Sequence, residues 1–187
     1  MTRAERERTT NAVLYFVERT VDCTERKLFS LLYLLDVSCF QETGQVVTGL
    51  SYSAAKSGPC PHVLQHALEA MPPEFGSRLI RETSLAHNTQ RQVFRSTGKV
   101  PFDSDSFTTR HLEFMAIWTD KFRNARGREI DVSRYDNGAW QQARGRGIEQ
   151  EIRFEETVSA DSPNRRDVLA IAAGVARRRT HLAKLAA

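Results

Sequence analysis

Apolar residues three and four positions apart recur along most of this chain. In NAVLYFVERT, Val13, Phe16, Val17 and Thr20 fall on one face, which predicts a short helix starting near Thr9 or Thr10. In TERKLFSLLYLLDVSCFQETG, Leu28, Leu31, Leu32 and Leu35 make a helical stripe while Phe29, Tyr33 and Leu34 cover much of the other faces. A helix apolar nearly all round belongs at the centre of a core. Thr24 is placed to cap its start, and Gly44 to end it at positive φ with little steric cost.

GQVVTGLSYSAAKSGPCP is too rich in β-branched and turn residues to continue that helix, and it predicts a short extended segment around Gly49 to Ala55. The SGPCP turn then launches a new helix with Pro61 in its first turn, where a missing N–H costs nothing. Val63, Leu64, Ala67, Leu68 and Met71 supply its buried stripe, and Pro72 and Pro73 stop it. SRLIRETS and QRQVFRST, separated by a polar LAHNT, predict a β-hairpin.

TTRHLEFMAIWTDKF predicts a helix with Leu112, Met115, Ala116, Thr119 and Phe122 on one face. A short helix around Glu129 to Tyr135, a turn at DNG and another short helix carrying Trp140 follow. Residues 147–161 turn acidic. Ser162 and Pro163 then open a final helix, with Val168, Ile171, Ala172, Val175, Leu182 and Leu185 on a weakly apolar side.

Composition narrows the class. With 187 residues, 40% hydrophobic and 27% charged, the chain reads as a globular protein long enough to bury a core. Its longest apolar run, Leu28 to Leu35, falls far short of the roughly 20 residues a membrane helix needs. The charged start MTRAERERTTNAV lacks the features of a secretory leader, so a cytoplasmic location is expected. Cys23, Cys39 and Cys60 are odd in number and lack CxxC spacing, which suits a reducing compartment.

The net charge of +4 is unevenly distributed. Residues 163–187 carry six basic side chains against Asp167 alone, which leaves the remainder near −1. The basicity therefore belongs to the tail. No aromatic residue interleaves Arg177, Arg178 and Arg179, so a solvated face or a protein contact is favoured over nucleic acid.

Residues with catalytic potential are sparse. His62 and His66 are four apart on a predicted helix with Cys60 nearby, but no HExxH glutamate or second ligand cluster accompanies them. His111 and Glu113, with Pro59 and Cys60, echo a zinc deaminase in the wrong order and without PCxxC. Walker, GxGxxG and GxSxG motifs are absent. Asp36, flanked by apolar residues, needs hydrogen-bond partners if buried, and a structural role outweighs that of a general base. No catalytic, metal or cofactor-binding residue is assigned.

The string RKLFSLLYLLDVSCFQETGQVVTGLSYSAAKSGPCPHVLQHAL (Arg26 to Leu68) resembles the Panacea domain, the SocA-like antitoxin domain of bacteria and phages. That family's K-L-L-Y-x-x-D core helix, glycine, T-G-x-x-Y strand and G-P-V-P turn fall here on Lys27 to Asp36, Gly44, Thr48 to Tyr52 and Gly58 to Pro61. YDNGAWQQARG (Tyr135 to Gly145) is similar to the family's late aspartate and A-W pattern. Cys60 departs from the usual small aliphatic residue, and the core helix has one extra apolar residue before Asp36.

The resemblance spans about Thr10 to Ile148 and implies an α+β fold: a mostly helical single domain with a small antiparallel β-sheet and a C-terminal helix. Residues 1–150 are expected to form the Panacea-like unit, and 151–187 an acidic linker and basic helix. It also implies a non-enzymatic, cofactor-free antitoxin that neutralises a cognate protein toxin, encoded nearby, by direct binding. Many members carry an N-terminal DNA-binding module, and with few residues before Thr10 none is expected here.

Tyr52, Lys56 and Ser57, with Arg177, Arg178 and Arg179, are the expected partner contacts. Asp36, Gly49, Gly58, Pro59, Pro61 and Trp140 are the expected structural motif. The rival readings are a proteolytic adaptor or phage-encoded host-interaction protein and, more remotely, a metal-dependent hydrolase using Asp36, His62 and His66.

Overall fold

The computed structural model describes residues 2–86 and 89–185. Its first helix, α1 (Arg3–Arg19), starts well before Thr9 because Thr2 and Glu5 form a capping box. The Thr2 hydroxyl accepts from Glu5 N, and the Glu5 carboxylate accepts from Thr2 N at 2.7 Å.

Helix α2 (Glu25–Thr43) is the central element expected, with Leu28, Leu31, Leu32, Tyr33, Leu34 and Leu35 wholly buried. Thr24 caps it, and Gly44 ends it at φ 69°.

The GPC stretch is a strand rather than part of a turn that launches the helix. β1 (Ser53–Ala55) and β2 (Gly58–Cys60) pair antiparallel, Ser53 opposite Cys60, with Lys56 and Ser57 at the turn. Pro61 is accordingly the N-cap of α3 (His62–Ala70), not part of its first turn. Leu64 and Leu68, four apart, are buried, whereas Val63, expected in the same stripe, is 68% exposed. One residue along a helix rotates a side chain by about 100°, and this short helix buries only a narrow face. After α4 (Pro73–Gly76), β3 (Leu79–Ala86) and β4 (Thr89–Ser96) form the expected hairpin. His87 and Asn88, within its expected loop, lie outside the described residues. Among the described residues, two two-stranded sheets thus stand where one was expected.

Helix α5 (Thr109–Phe122) buries Phe114, Met115, Trp118, Thr119 and Phe122, and Trp118 Nε1 donates to Ser38 Oγ on α2 at 2.9 Å. Two 3₁₀ turns, Gly127–Glu129 and Val132–Arg134, replace the short helix expected near 129–135, and α6 (Ala139–Arg146) carries Trp140.

The acidic stretch expected as a linker is built into the body. Ala54 N donates to Gln150 O, and Ile152 N to Tyr52 O, both at 2.8 Å, so this stretch flanks β1 on the edge away from β2. Next, a 3₁₀ turn (Phe154–Thr157) places the Phe154 ring 5.4 Å from Phe40 and 6.0 Å from Tyr52. Between the glutamates, Ile152, Phe154 and Val158 act as apolar anchors; Ile152 and Val158 are buried.

Helix α7 (Arg165–Leu185) then packs on the end of α2, where Val168 and Ala172 join Phe40 and Val158 in a small second core. Ile171 is exposed, and the side chains of Leu182 and Leu185 lie outside those described. Among the described residues no helix is long and apolar enough to cross a membrane.

Candidate partner-binding site

The family-like motif lies inside the molecule. Asp36, on α2, has no solvent exposure. Its carboxylate accepts from Val47 N at 2.8 Å, Thr48 N and Tyr52 OH, each at 2.9 Å, and the Thr48 hydroxyl. Burial nevertheless pushes its pKa up to about 6, the hydrogen bonds opposing that rise. The carboxylate pins the irregular chain after α2, which otherwise would bury unpaired amides.

A second pair mirrors the first. Tyr33 OH donates to Asp136 Oδ2 at 2.9 Å, and the Tyr33 and Tyr52 rings meet edge to face at 5.2 Å. Asp136 also accepts from Gly138 N and Trp140 N, each at 2.9 Å, and so fixes the start of α6. Burial raises its pKa as well. Lys27, the motif's basic residue, is fully buried and donates from Nζ to Val21 O at 2.7 Å and Arg123 O at 2.8 Å. Desolvation lowers its pKa.

Tyr52 is therefore corrected as a contact residue: it is 1% exposed, with its hydroxyl on Asp36. Lys56 and Ser57 are exposed at the β1–β2 turn that this network supports. Gly58, at φ 137°, and the buried Pro59 belong to the strand β2 that follows the turn. Gly49, at φ 73°, packs so closely on α1 that a Cβ would lie 2.8 Å from the Glu5 carboxylate. Trp140 is half-buried, and its Nε1 has no hydrogen-bond partner among the described residues.

The three consecutive arginines of α7, Arg177 to Arg179, separate. Arg177 and Arg178 are exposed, whereas Arg179 pairs with Glu5 at 2.5 Å, joining α7 to α1. Burial opposes the charge on Glu5, but the Thr2 amide and Arg179 outweigh it and hold the carboxyl below its ordinary value. Between α7, α1 and the chain after α2 lies a cleft of about 680 Å³ that includes Arg8, Val46, Phe154 and Val175 in its walls.

The sequence-level hydrolase residues do not converge. Asp36 is sealed beneath Tyr52 and Thr48, and His66 faces Glu69 on its own helix at 3.4 Å. Cys60 Sγ is 3.7 Å from His62 Nδ1, but burial and then Glu25, Glu149 and Glu69 push the thiol up to about 11, away from a reactive thiolate. Among the described residues no group of three or more His, Cys, Asp or Glu is arranged to hold a metal.

Sequence reading missed Glu5 and Asp136 as network members. The T-x-x-E spacing at Thr2 to Glu5 signals the first. Asp136 opens a D-N-G-A-W that marks a helix start, but its pairing with Tyr33 depends on the fold.

A family model described as "Antitoxin SocA-like, Panacea domain" matches residues 28–141, more than half of the chain. No match is found among curated proteins or among solved structures.

Proposed function

Since the chain belongs to the SocA-like Panacea family of antitoxins, we propose that it neutralises a cognate protein toxin, encoded by an adjacent gene, through direct binding in the cytoplasm. The family match carries this reading. The disposition of the motif supports it: Lys27, Tyr33, Asp36 and Asp136 are engaged in holding α2 to the loops around it. Those contacts leave the motif's polar groups as a frame for a binding surface. Lys56 and Ser57 at the β1–β2 turn, with the exposed Arg177 and Arg178, are the contacts assigned to the toxin. The function is non-enzymatic.

Co-expression with the product of the neighbouring gene tests this. The expected result is restored growth and a stoichiometric complex on co-purification, with the toxin's half-life unchanged. Absence of rescue and of a complex would sink the proposal, and a toxin half-life that falls when this chain is present would replace sequestration with delivery to a protease.

A further inference from the structure

Four arginines from three segments remote in sequence meet in one cleft at the start of α2. Segment 123–128 lies against the first turn of that helix: an added Cβ on Gly127 would fall 2.9 Å from Lys27 N and 3.2 Å from Arg26 Cβ. The same segment is held from below, since Arg123 O accepts both Lys27 Nζ, at 2.8 Å, and Val21 N, at 2.9 Å. This anchorage places Arg126 and Arg128 beside Arg26, and β4 contributes Arg91 to the same cleft of about 420 Å³.

Asp22 is the acid in its lining, and it is already bonded to Arg95 at 3.3 Å and Ser84 at 3.2 Å. Arg126 lies near Glu129, at 3.8 Å. Arg26, Arg91 and Arg128 have no ion-pair partner among the described residues. The buried ammonium of Lys27 and the N-terminal end of α2 add positive potential.

We infer that this cleft binds an acidic segment of the toxin, its arginines taking Asp or Glu carboxylates. The inference rests on the antitoxin reading for the identity of the partner, while the cleft's taste for carboxylates stands on its own. Guanidinium forks match carboxylates bidentately and are enriched where proteins meet. Val21, 52% exposed, and Ala125 supply apolar surface between the charges, which suits a peptide. Among the described residues the lining contains no aromatic ring on which a base would stack. A body near neutral overall therefore carries a concentrated basic recess of its own, apart from the tail.

The test uses the full chain and a fluorescein-labelled octaglutamate peptide, followed by anisotropy at low and at physiological salt. Binding that weakens with salt is expected, with at least tenfold loss in the Arg26→Gln, Arg91→Gln, Arg128→Gln triple variant. The Arg177→Gln, Arg178→Gln variant should keep most of the affinity. These are surface changes, and unchanged circular dichroism and melting temperature establish that the triple variant folds. No binding, equal binding by the triple variant, or tighter binding of a twelve-nucleotide single-stranded DNA through the same arginines overturns the inference.

Growth rescue separates the two proposals. If the wild-type chain fails to rescue, the antitoxin reading falls and the peptide result stands by itself. If the triple variant rescues and binds toxin as well as wild type does, the cleft falls as a toxin contact and the antitoxin reading survives.

Discussion

Four donors converge on Asp36 in a place water does not reach. Removing its carboxylate strands two backbone amides and two hydroxyls, each expensive to leave unpaired, so Asp36→Ala should cost about 3 kcal/mol or more of folding stability in urea titrations. Tyr52→Phe removes one donor and should cost ~1–2 kcal/mol. Because the residue is buried, that variant should bind the partner with wild-type affinity once folded; a selective loss of affinity would return Tyr52 to the interface.

The raised pKa of Asp36 has a defined sign. Its ordinary value is 3.8 and its folded value about 6, so between these the folded state holds a proton that the unfolded chain has released. The contribution is therefore most favourable below about pH 4 and is lost as pH rises through 6. Glu5 works oppositely: with its folded pKa depressed, its contribution is present above the ordinary 4.5 and is lost as pH falls below it. Urea midpoints between pH 4 and 7, compared for wild type and Asp36→Asn, isolate the first effect because Asp136 and Glu5 are common to both. The difference between the two proteins should change with pH up to about 6 and then level off; a constant difference would show that Asp36 does not titrate there.

At the scale of elements, the ends of helices explain both what the chain makes legible and what it conceals. Helix α2 is readable because its apolar density, its Thr24 cap and its Gly44 stop agree with one another. The start of α1 is signalled by Thr2 and Glu5, yet its first turns are charged and carry no apolar period, so a reading that follows hydrophobicity begins the helix too late. Tyr52 misleads for a different reason. Its β-branched and turn-rich surroundings place it in an extended segment, and only the fold reveals that a carboxylate on α2 is aimed at its hydroxyl. The arginine cleft is illegible because Arg26, Arg91 and Arg128 become neighbours through the packing of Gly127 on α2.

Gly44 illustrates an element contact that one methyl group would break. It holds φ 69°, and an added Cβ would collide with the backbone of α7 at the Val168 carbonyl and come within 3.1 Å of Ala172 N. Gly44→Ala therefore combines left-handed strain of about 1 kcal/mol with displacement of a rigid backbone. The total should reach ~2 kcal/mol or more. Hydrogen exchange in 165–176 should accelerate much more than exchange in α2, and equal protection in the two proteins would mean that α7 does not rest on this glycine.

The whole molecule differs from its sequence-level outline chiefly at the tail. Charge divides the chain into a near-neutral body and a basic end, which invites treatment of residues 163–187 as an appendage. Packing does not respect that boundary. Val168 and Ala172 cover Phe40 and Val158, and Arg179 reaches Glu5 on the first helix. Most of the large core around α2 is independent of this contact, so a chain ending at Ser162 should still fold cooperatively.

Its stability should drop by ~2–3 kcal/mol, mostly from exposing Phe40 and Val158, since the half-exposed Arg179 pair adds at most ~1 kcal/mol. Loss of toxin affinity on truncation would consequently mix destabilisation with the removal of contacts. The full-length Arg177→Gln, Arg178→Gln variant separates them: both side chains are solvated, so melting should stay at the wild-type temperature while toxin dissociation accelerates. A wild-type dissociation rate in that variant would assign the basic tail to holding the fold and remove Arg177 and Arg178 from the interface.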